Sequence, residues 1–313
     1  MTDRSSRNPT ARTPESPRIL ILGRNGQLGR ELEPIFAGFG SVAAFGRETV
    51  DLADGDQVRA VVRQAAPDVI LNAAAYTAVD RAETESDLAL AVNAHAPRIL
   101  AQEALKLNAL LVHYSTDYVF DGKKQGPWVE TDIPMPLNIY GASKLAGEQA
   151  LQEVGGSYLI FRTSWVYAPR GKNFLLTMLR LARERNSLSI VDDQFGAPTT
   201  AIELARATQA VVKGLLADQF GSVHESSGIY HMTCSGSTSW FGFAQAIFER
   251  ASKLLAIKSP QLTAIPTRDY PTPAARPQNS VLSNTRLHAR FGVQLAAWET
   301  ALDEALQTLK AEG

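Results

Sequence analysis

Residues 18–29, Arg-Ile-Leu-Ile-Leu-Gly-Arg-Asn-Gly-Gln-Leu-Gly, indicate the fold. They open with a short continuous apolar run, which is typical of a strand buried on both faces. Gly23, Gly26 and Gly29 then recur at three-residue spacing, and a helical pattern continues through Phe36. Glycines let the backbone approach a pyrophosphate, and a helix N-terminus presents free N–H groups and a partial positive charge. The stretch therefore predicts a dinucleotide-binding turn, although its spacing is not the simplest Gly-x-Gly-x-x-Gly.

Four further strand-like runs follow before residue 170 and alternate with helical patterns. They cover residues 41–47, 68–72, 110–120 and 158–167. A long amphipathic helix, with Asn93 inside it, is predicted for residues 86–107. Alternation of strands and helices is typical of a parallel sheet with helices on both faces. The sequence thus predicts the α/β class, with a doubly wound parallel sheet of the Rossmann type.

Length and composition set the domain organisation. The 313 residues, 45% hydrophobic and 20% charged, suit a globular protein of one large or two small domains. We expect a disordered extension at residues 1–17 and a dinucleotide-binding domain at residues 18–168. Residues 169–313 are expected to form mainly a smaller α/β substrate domain, with segments that return to the Rossmann core.

Net charge and cysteine content limit the classes of binding partner and the cellular compartment that we expect. The net charge is −1, so no basic surface for nucleic acid or membrane is expected. No apolar run approaches the roughly 20 residues that span a bilayer. Cys234 is the single cysteine, which excludes an internal disulfide and suits a reducing cytoplasm. We expect it to be a packed thiol.

Tyr140 and Lys144 are candidate catalytic residues. A helical pattern from Leu137 to Leu151, entered near an Asn138 cap, places both on one helix face. A nearby ammonium favours the phenolate, so Lys144 is expected to lower the pKa of Tyr140. Such a phenol is a plausible proton donor to a carbonyl oxygen. The alternative is a solvated surface pair, against which the rest of the chain argues.

The second strand-like run indicates which dinucleotide is bound. It ends at Arg47 with no acidic residue at its tip, and Arg24 lies in the glycine turn. Arginine suits the 2′-phosphate of NADPH, whereas a carboxylate suits the ribose of NADH. Asp51 and Leu52 follow and are expected near the adenine. The small residues Ala73–Ala75 allow a flat cofactor to lie against the backbone.

Several motifs together resemble the extended short-chain dehydrogenase/reductases. The first are the glycine turn, a strand ending at Thr116, and Tyr140-x-x-x-Lys144. Longer segments are similar to the dTDP-4-dehydrorhamnose reductase family, and the resemblance runs from Arg18 to about Trp298. These segments are residues 72–80, 113–120, 161–167, 193–199 and 270–277.

The resemblance implies NADPH-dependent reduction of the C4 keto group of a dTDP-4-keto sugar, dTDP-6-deoxy-L-lyxo-4-hexulose, to dTDP-L-rhamnose. NADH is the alternative cofactor. Tyr140 would protonate the forming alkoxide, Lys144 would lower its pKa and hold the nicotinamide ribose, and Thr116 would hydrogen-bond the carbonyl oxygen. The substrate site it implies contains Thr77, Val79, Thr116, Asp117, Tyr118, Trp165 and Arg276, the last for the diphosphate. The whole predicted cofactor site is Gly23, Arg24, Asn25, Gly26, Gln27, Leu28, Gly29, Arg47, Asp51, Leu52, Ala73, Ala74, Ala75, Tyr76, Thr77, Tyr114, Tyr140 and Lys144.

One detail separates this chain from the related dehydratases, and one other feature departs from the family pattern. Related dehydratases carry Asp-Glu after the Thr, whereas Asp117 is followed here by Tyr118, a poor base near neutral pH. A reductase of another nucleotide 4-keto sugar, or a non-catalytic NADP-binding regulatory subunit, remains an alternative. Some members of the family form homodimers bridged by Mg²⁺. Glu31 matches one of the carboxylates, but the second position falls on Ile202, one residue from Glu203, and a one-residue shift on a helix rotates a side chain by about 100°.

Overall fold

The structure, a computed structural model, describes residues 16–312, so most of the predicted N-terminal extension lies outside the described residues. Its strands are β1 (Arg18–Leu22), β2 (Ser41–Phe45), β3 (Val69–Asn72), β4 (Leu110–Thr116), β5 (Tyr158–Thr163), β6 (Val166–Tyr167), β7 (Ser187–Val191), β8 (Phe195–Gly196), β9 (Thr199–Thr200), β10 (Gly228–His231), β11 (Thr238–Ser239) and β12 (Gln261–Ile265). Its α-helices are α1 (Gln27–Ala37), α2 (Gly55–Ala65), α3 (Val79–Ala82), α4 (Ser86–Leu90), α5 (Ala96–Leu107), α6 (Ile139–Val154), α7 (Phe174–Glu184), α8 (Ala201–Leu216), α9 (Trp240–Leu254), α10 (Thr285–Phe291) and α11 (Trp298–Glu312).

A parallel sheet of six strands forms the centre, in the order β10-β5-β4-β3-β1-β2. The chain leaves β1 for β2 on one side and then returns to β3 on the other. This reversal of direction opens a crevice beyond the carboxyl ends of the strands, where ligands bind in open α/β sheets. The predicted doubly wound sheet is confirmed.

Helices cover both faces of the sheet because alternate strand residues point to opposite sides. Ile19 and Ile21 pack against α1 and α8 in one apolar cluster. Leu20 and Leu22 pack in another with residues of α2, α5 and α6. The continuous apolar run of β1 therefore arises from burial on both faces.

Three predicted elements have different boundaries. The strand predicted for residues 110–120 ends at Thr116, because Asp117–Val119 form a 3₁₀ helix. The strand predicted for residues 158–167 breaks after Thr163, since Trp165 adopts a left-handed conformation with φ 49°. The helix predicted for residues 86–107 contains a π-helical turn at Ala91–His95, between α4 and α5.

The C-terminal half builds a third apolar cluster from α7, α9 and α11 with β7, which pairs in parallel with β12. Cys234 is buried in this cluster, as predicted, and burial raises the pKa of its thiol to about 12. The strands β8, β9, β10, β11 and β12 were not predicted. Of these, β10 joins the central sheet, and the boundary between residues 168 and 169 stays a prediction.

No helix within residues 16–312 has both the length and the apolar character needed to cross a membrane.

Candidate active site

A cleft of about 730 Å³ lies at the carboxyl ends of β1, β3 and β4. Most of the predicted site residues line it, although they come from separate parts of the chain. They are Gly23, Asn25, Gly26, Gln27, Leu28, Arg47, Asp51, Leu52, Ala73, Ala74, Ala75, Tyr76, Thr77, Val79, Tyr114, Thr116, Asp117, Tyr118, Tyr140, Lys144 and Trp165.

Four predicted residues are not part of the lining. Arg24 instead pairs with Glu33 at 2.9 Å, on the outer side of the glycine turn. Arg276 donates to Asp80 at 2.9 Å and lies over the ring of Tyr118, so in this structure it reaches the cleft only through that ring. The other two, Gly29 and Glu31, have structural contacts of their own that are described below.

The glycine turn allows close packing of three backbone segments. Gly23 has φ +90°, and a Cβ there would lie 2.7 Å from the backbone nitrogen of Ala74. A Cβ on Gly29 would lie 2.1 Å from the carbonyl oxygen of Gly23, so this third glycine packs the helix against the turn and does not face the cleft. Gly26 caps α1 without a side chain, so the first-turn N–H groups are left for a ligand. The turn fits a dinucleotide pyrophosphate.

The start of α6 carries Tyr140 towards Thr116. The Asn138 side chain accepts a hydrogen bond from the backbone nitrogen of Gly141 at 2.8 Å and so caps the helix. A Cβ on Gly141 would lie 2.2 Å from the carbonyl oxygen of Tyr118, so only glycine allows this approach to the segment after β4. As a result, Tyr140 lies beside Thr116, close enough for the two hydroxyl groups to interact.

The pKa of Tyr140 differs from the prediction. Burial in the cleft wall raises it to about 12, while the hydrogen bond with Thr116 lowers it less and the charge of Asp117 raises it further. The prediction that the pKa of Tyr140 is lowered is therefore wrong for this structure. The Lys144 ammonium contacts other groups, and desolvation of the phenolate is the larger effect.

Lys144 is buried, with 1% of its surface exposed. Its Nζ donates to the carbonyl oxygen of Tyr114 at 2.6 Å and lies 3.2 Å from His113 Nε2. Burial lowers the pKa of Lys144 to about 8, and the charge of Glu148 partly offsets this. The alternative of a solvated surface pair is thereby excluded. His113 is also buried and contacts this candidate catalytic group.

Asp117 is a second buried ionisable group beside Thr116. Its Oδ1 accepts a hydrogen bond from the Thr116 hydroxyl at 2.9 Å. Burial raises the pKa of Asp117 to about 6, and hydrogen bonds from Ser280 and Thr116 act in the opposite direction. Near neutral pH it is therefore largely a carboxylate that orients the hydroxyl of Thr116.

Sequence reasoning missed several residues of the site. Trp240 lines the cleft, and its ring stacks on Trp165 with centroids 3.5 Å apart and planes 8° apart. Asn93, in the π-helical turn, accepts from the backbone nitrogen of Tyr76 at 2.8 Å and donates to Ser143 at 2.9 Å. Trp240 gave no local signal, because it reaches the cleft from the second half of the chain. A polar Asn inside an amphipathic helix was a signal that was available.

Glu48 was also missed. It lies three residues beyond the end of β2, and its carboxylate accepts from Asn25 Nδ2 at 2.7 Å. Arg47, by contrast, lines the cleft. An arginine and a carboxylate thus both lie beside the glycine turn, although Glu48 is not among the residues that line the cleft.

A doubly wound parallel sheet, a glycine turn at its reversal point, and a Tyr-x-x-x-Lys helix facing a Thr define an extended short-chain dehydrogenase/reductase, an oxidoreductase that uses a nicotinamide dinucleotide. Comparison with known proteins narrows the class. The family model described as RmlD substrate binding domain matches residues 17–311.

Known proteins with similar sequences align with this chain over almost its full length. A protein of Burkholderia thailandensis named dTDP-4-dehydrorhamnose reductase is 47% identical over 94% of this chain and 100% of its own length. One of the same name from Escherichia coli K12 is 44% identical over 93% of this chain and 97% of its own. The crystal structure of the Bacillus anthracis dTDP-4-dehydrorhamnose reductase in complex with NADP superposes with a TM-score of 0.83, at 37% identity, over 94% of this chain and 99% of that one. The chain belongs to the dTDP-4-dehydrorhamnose reductase family.

The two carboxylates considered for Mg²⁺ are both engaged within the chain. Glu31 accepts from Arg170 Nη1 at 2.9 Å. Glu203 accepts from the backbone nitrogen of Ala296 at 2.7 Å and pairs with Arg206. Among residues 16–312, no group of three or more His, Cys, Asp or Glu side chains could hold a metal. These residues do not fit a divalent cation without giving up their present partners.

Proposed function

We propose that this protein reduces the C4 keto group of dTDP-6-deoxy-L-lyxo-4-hexulose with NADPH and so forms dTDP-L-rhamnose, the last step of dTDP-rhamnose synthesis. The main support for this proposal is the pair of hydroxyl groups of Thr116 and Tyr140, which lies with the buried Lys144 in a cleft that also contains a glycine turn. The names of the relatives supply the substrate class.

The glycine turn and the small residues after β3 would hold the cofactor. The first-turn N–H groups of α1 suit its pyrophosphate, and Ala73–Ala75 give it a flat wall. Its nicotinamide supplies the hydride. Arg47 favours the 2′-phosphate of NADPH, whereas the neighbouring Glu48 opposes it, so the preference over NADH depends on which charge lies closer to the ribose.

The protein's own part in the reaction is to deliver a proton and stabilise charge. With a pKa of about 12, Tyr140 is protonated near neutral pH and therefore holds the proton that the C4 oxygen needs. Thr116 can donate a hydrogen bond to the same oxygen as negative charge develops on it, once its single proton turns away from Asp117 Oδ1, which accepts it in the free protein. The Lys144 ammonium then lowers the free energy of the tyrosinate that remains, because it is a positive charge four residues away on the same helix face.

The sugar would lie against the far wall of the cleft. Trp165, stacked on Trp240, offers an apolar face to the ring, and Thr77 and Val79, from the segment after β3, line the same cleft. Arg276 would reach the diphosphate only after exchanging its contact with Asp80. The substrate is therefore expected to rearrange this ion pair.

The first experiment follows the absorbance of NADPH, and in parallel NADH, with enzymatically prepared dTDP-4-keto sugar. The wild type is compared with Tyr140→Phe and with Tyr270→Phe, a control whose tyrosine is 59% exposed. We expect turnover in the wild type and the control, with dTDP-rhamnose as product, and a loss of at least about a hundredfold in Tyr140→Phe.

Other outcomes discriminate between the alternatives. Tight NADPH binding without turnover would favour a different nucleotide sugar or a regulatory binding subunit. Equal turnover in Tyr140→Phe would mean that another group donates the proton.

We also propose that Glu31 holds Arg170 and not a bridging cation, so activity should persist in EDTA. A homodimer, if it forms, would then not depend on Mg²⁺. Sedimentation in EDTA and in Mg²⁺ tests this, since a metal-dependent dimer would contradict it.

A further inference from the structure

The Lys144 ammonium is held by two acceptors of the chain itself. Nζ donates to the carbonyl oxygen of Tyr114 at 2.6 Å and lies 3.2 Å from His113 Nε2. The two acceptors belong to consecutive residues of β4, so one strand sets the positions of both. A long, flexible lysine side chain is thereby confined to one place.

The other ring nitrogen of His113 lies against β3. His113 Nδ1 is 3.0 Å from Asn72 Nδ2, and the two residues are register partners in the sheet. A neutral imidazole has one donor and one acceptor nitrogen. If the amide nitrogen of Asn72 donated to Nδ1, then Nε2 would carry the proton, and that N–H would face the N–H groups of the Lys144 ammonium.

The Asn72 amide resolves this conflict when it is turned by 180°. Its Oδ1 is buried and has no hydrogen-bond partner among the described residues. In the turned orientation His113 Nδ1–H donates to Asn72 Oδ1, and Nε2 accepts from Lys144. One amide atom is unpartnered in either orientation, but only the turned one gives both ring nitrogens complementary partners while Lys144 is charged.

We propose that His113, held by Asn72, is a positioning residue that fixes the Lys144 ammonium behind Tyr140. His113 acts through Lys144 and touches neither substrate nor reacting atoms. The kinetic part of this inference rests on the proposed reductase activity, whereas the hydrogen-bond chain is a property of the free protein.

The nearby carboxylate of Glu148 is already engaged, so the neutral ring of His113 is the side-chain acceptor for the Lys144 ammonium. Glu148, one helical turn beyond Lys144, raises the pKa of the amine, but its carboxylate already accepts from Arg162 Nε at 2.9 Å and Nη2 at 2.6 Å. Burial and the charge of Lys144 hold the pKa of His113 well below its usual range. The imidazole therefore stays neutral and keeps its accepting lone pair.

The first test reads the histidine directly, in the protein without cofactor. Long-range ¹⁵N–¹H spectra of the five histidines report which ring nitrogen is protonated, and the His113 signals are identified by their loss in His113→Gln. We expect a neutral ring protonated at Nδ1 from about pH 6 to about pH 8. Protonation at Nε2, or an imidazolium, would overturn the inference.

The second test separates positioning from packing. In His113→Gln the amide oxygen can still accept from Lys144, whereas His113→Leu fills similar space without an acceptor. His113→Leu removes one acceptor of the Lys144 ammonium, so we expect kcat to fall about tenfold. The alkaline limb of its pH profile, which we assign to loss of the Lys144 proton, should move down by about one pH unit. KM for the sugar should stay the same, and His113→Gln should recover most of the loss.

Equal impairment of the two variants, or an unshifted alkaline limb in His113→Leu, would contradict the proposal. If His113→Leu does not fold, the tautomer measurement decides. If the wild type turns over no nucleotide 4-keto sugar, the proposed function fails, and the tautomer measurement still decides this inference by itself.

Discussion

At the scale of single residues, Lys144 is under opposing demands. Its charge is needed beside Tyr140, yet the side chain is almost fully removed from water. Burial lowers the pKa of this amine from 10.5 to about 8. Such a shift corresponds to about 3 kcal/mol of destabilisation when the group is charged, less what its hydrogen bonds return.

The contribution of Lys144 to the free energy of unfolding should therefore rise with pH, over the same range in which loss of its proton is expected to lower the activity. Between pH 8 and 10.5 the unfolded chain binds the Lys144 proton and the folded protein does not. Stability from this group is thus lowest below pH 8 and increases as pH rises through that window.

Removing the charge tests this balance. We expect Lys144→Met to raise the melting temperature at pH 7 by about 2 °C or more while abolishing turnover. Calorimetry at pH 7 and pH 10 provides the measurement, and the gain should shrink at pH 10. A variant less stable than the wild type at pH 7 would show that the contacts of Lys144 outweigh the cost of its burial.

At the scale of elements, the strand–turn–helix unit of β1 and α1 depends on a backbone that no side chain can replace. Gly23 combines φ +90° with a backbone neighbour 2.7 Å from any Cβ. That neighbour belongs to the loop after β3, so the turn and the cofactor wall are packed against each other.

Gly23→Ala should accordingly weaken NADPH binding by at least about tenfold and lower the melting temperature, because a left-handed Ala costs roughly 1–2 kcal/mol before any clash. Gly38→Ala, just after the same helix, is the matched control, since φ there is −79° and a Cβ would meet nothing within 4 Å. Fluorescence titration with NADPH measures both variants. Equal binding by both would refute the idea that the turn must approach Ala74 so closely.

At the scale of the whole molecule, the two halves of the chain share one core. Helix α8 packs against α1 beneath the sheet, and β10 supplies hydrogen bonds to the edge of β5. Without residues beyond 168, the apolar face of α1 and an edge strand would be exposed to water.

We therefore expect the full chain to unfold in one transition and a chain that ends at Ala168 to fail to fold. Circular dichroism and tryptophan fluorescence should give coincident melting curves for the full protein. A truncated chain with native-like circular dichroism and NADPH binding would show instead that residues 18–168 are an independent domain.

The sequence by itself determined the strands β1 to β5 of the central sheet, the glycine turn and the helix of Tyr140 and Lys144. Each of these depends on neighbours along the chain: apolar periodicity, spacing of glycines, and the Asn138 cap. The cleft residues up to Trp165 followed from the same signals, together with motifs that resemble a known family.

Only the tertiary structure decided the pKa values of the site residues and the side chains that they contact. Whether Tyr140 has a raised or a lowered pKa depends on burial and on where the Lys144 ammonium is held, and both are set by contacts with β4. Trp240 enters the cleft from the second half of the chain, and Arg276 is held by Asp80, almost 200 residues away. Desolvation and long-range contacts have no local pattern, because they arise only when distant segments pack together.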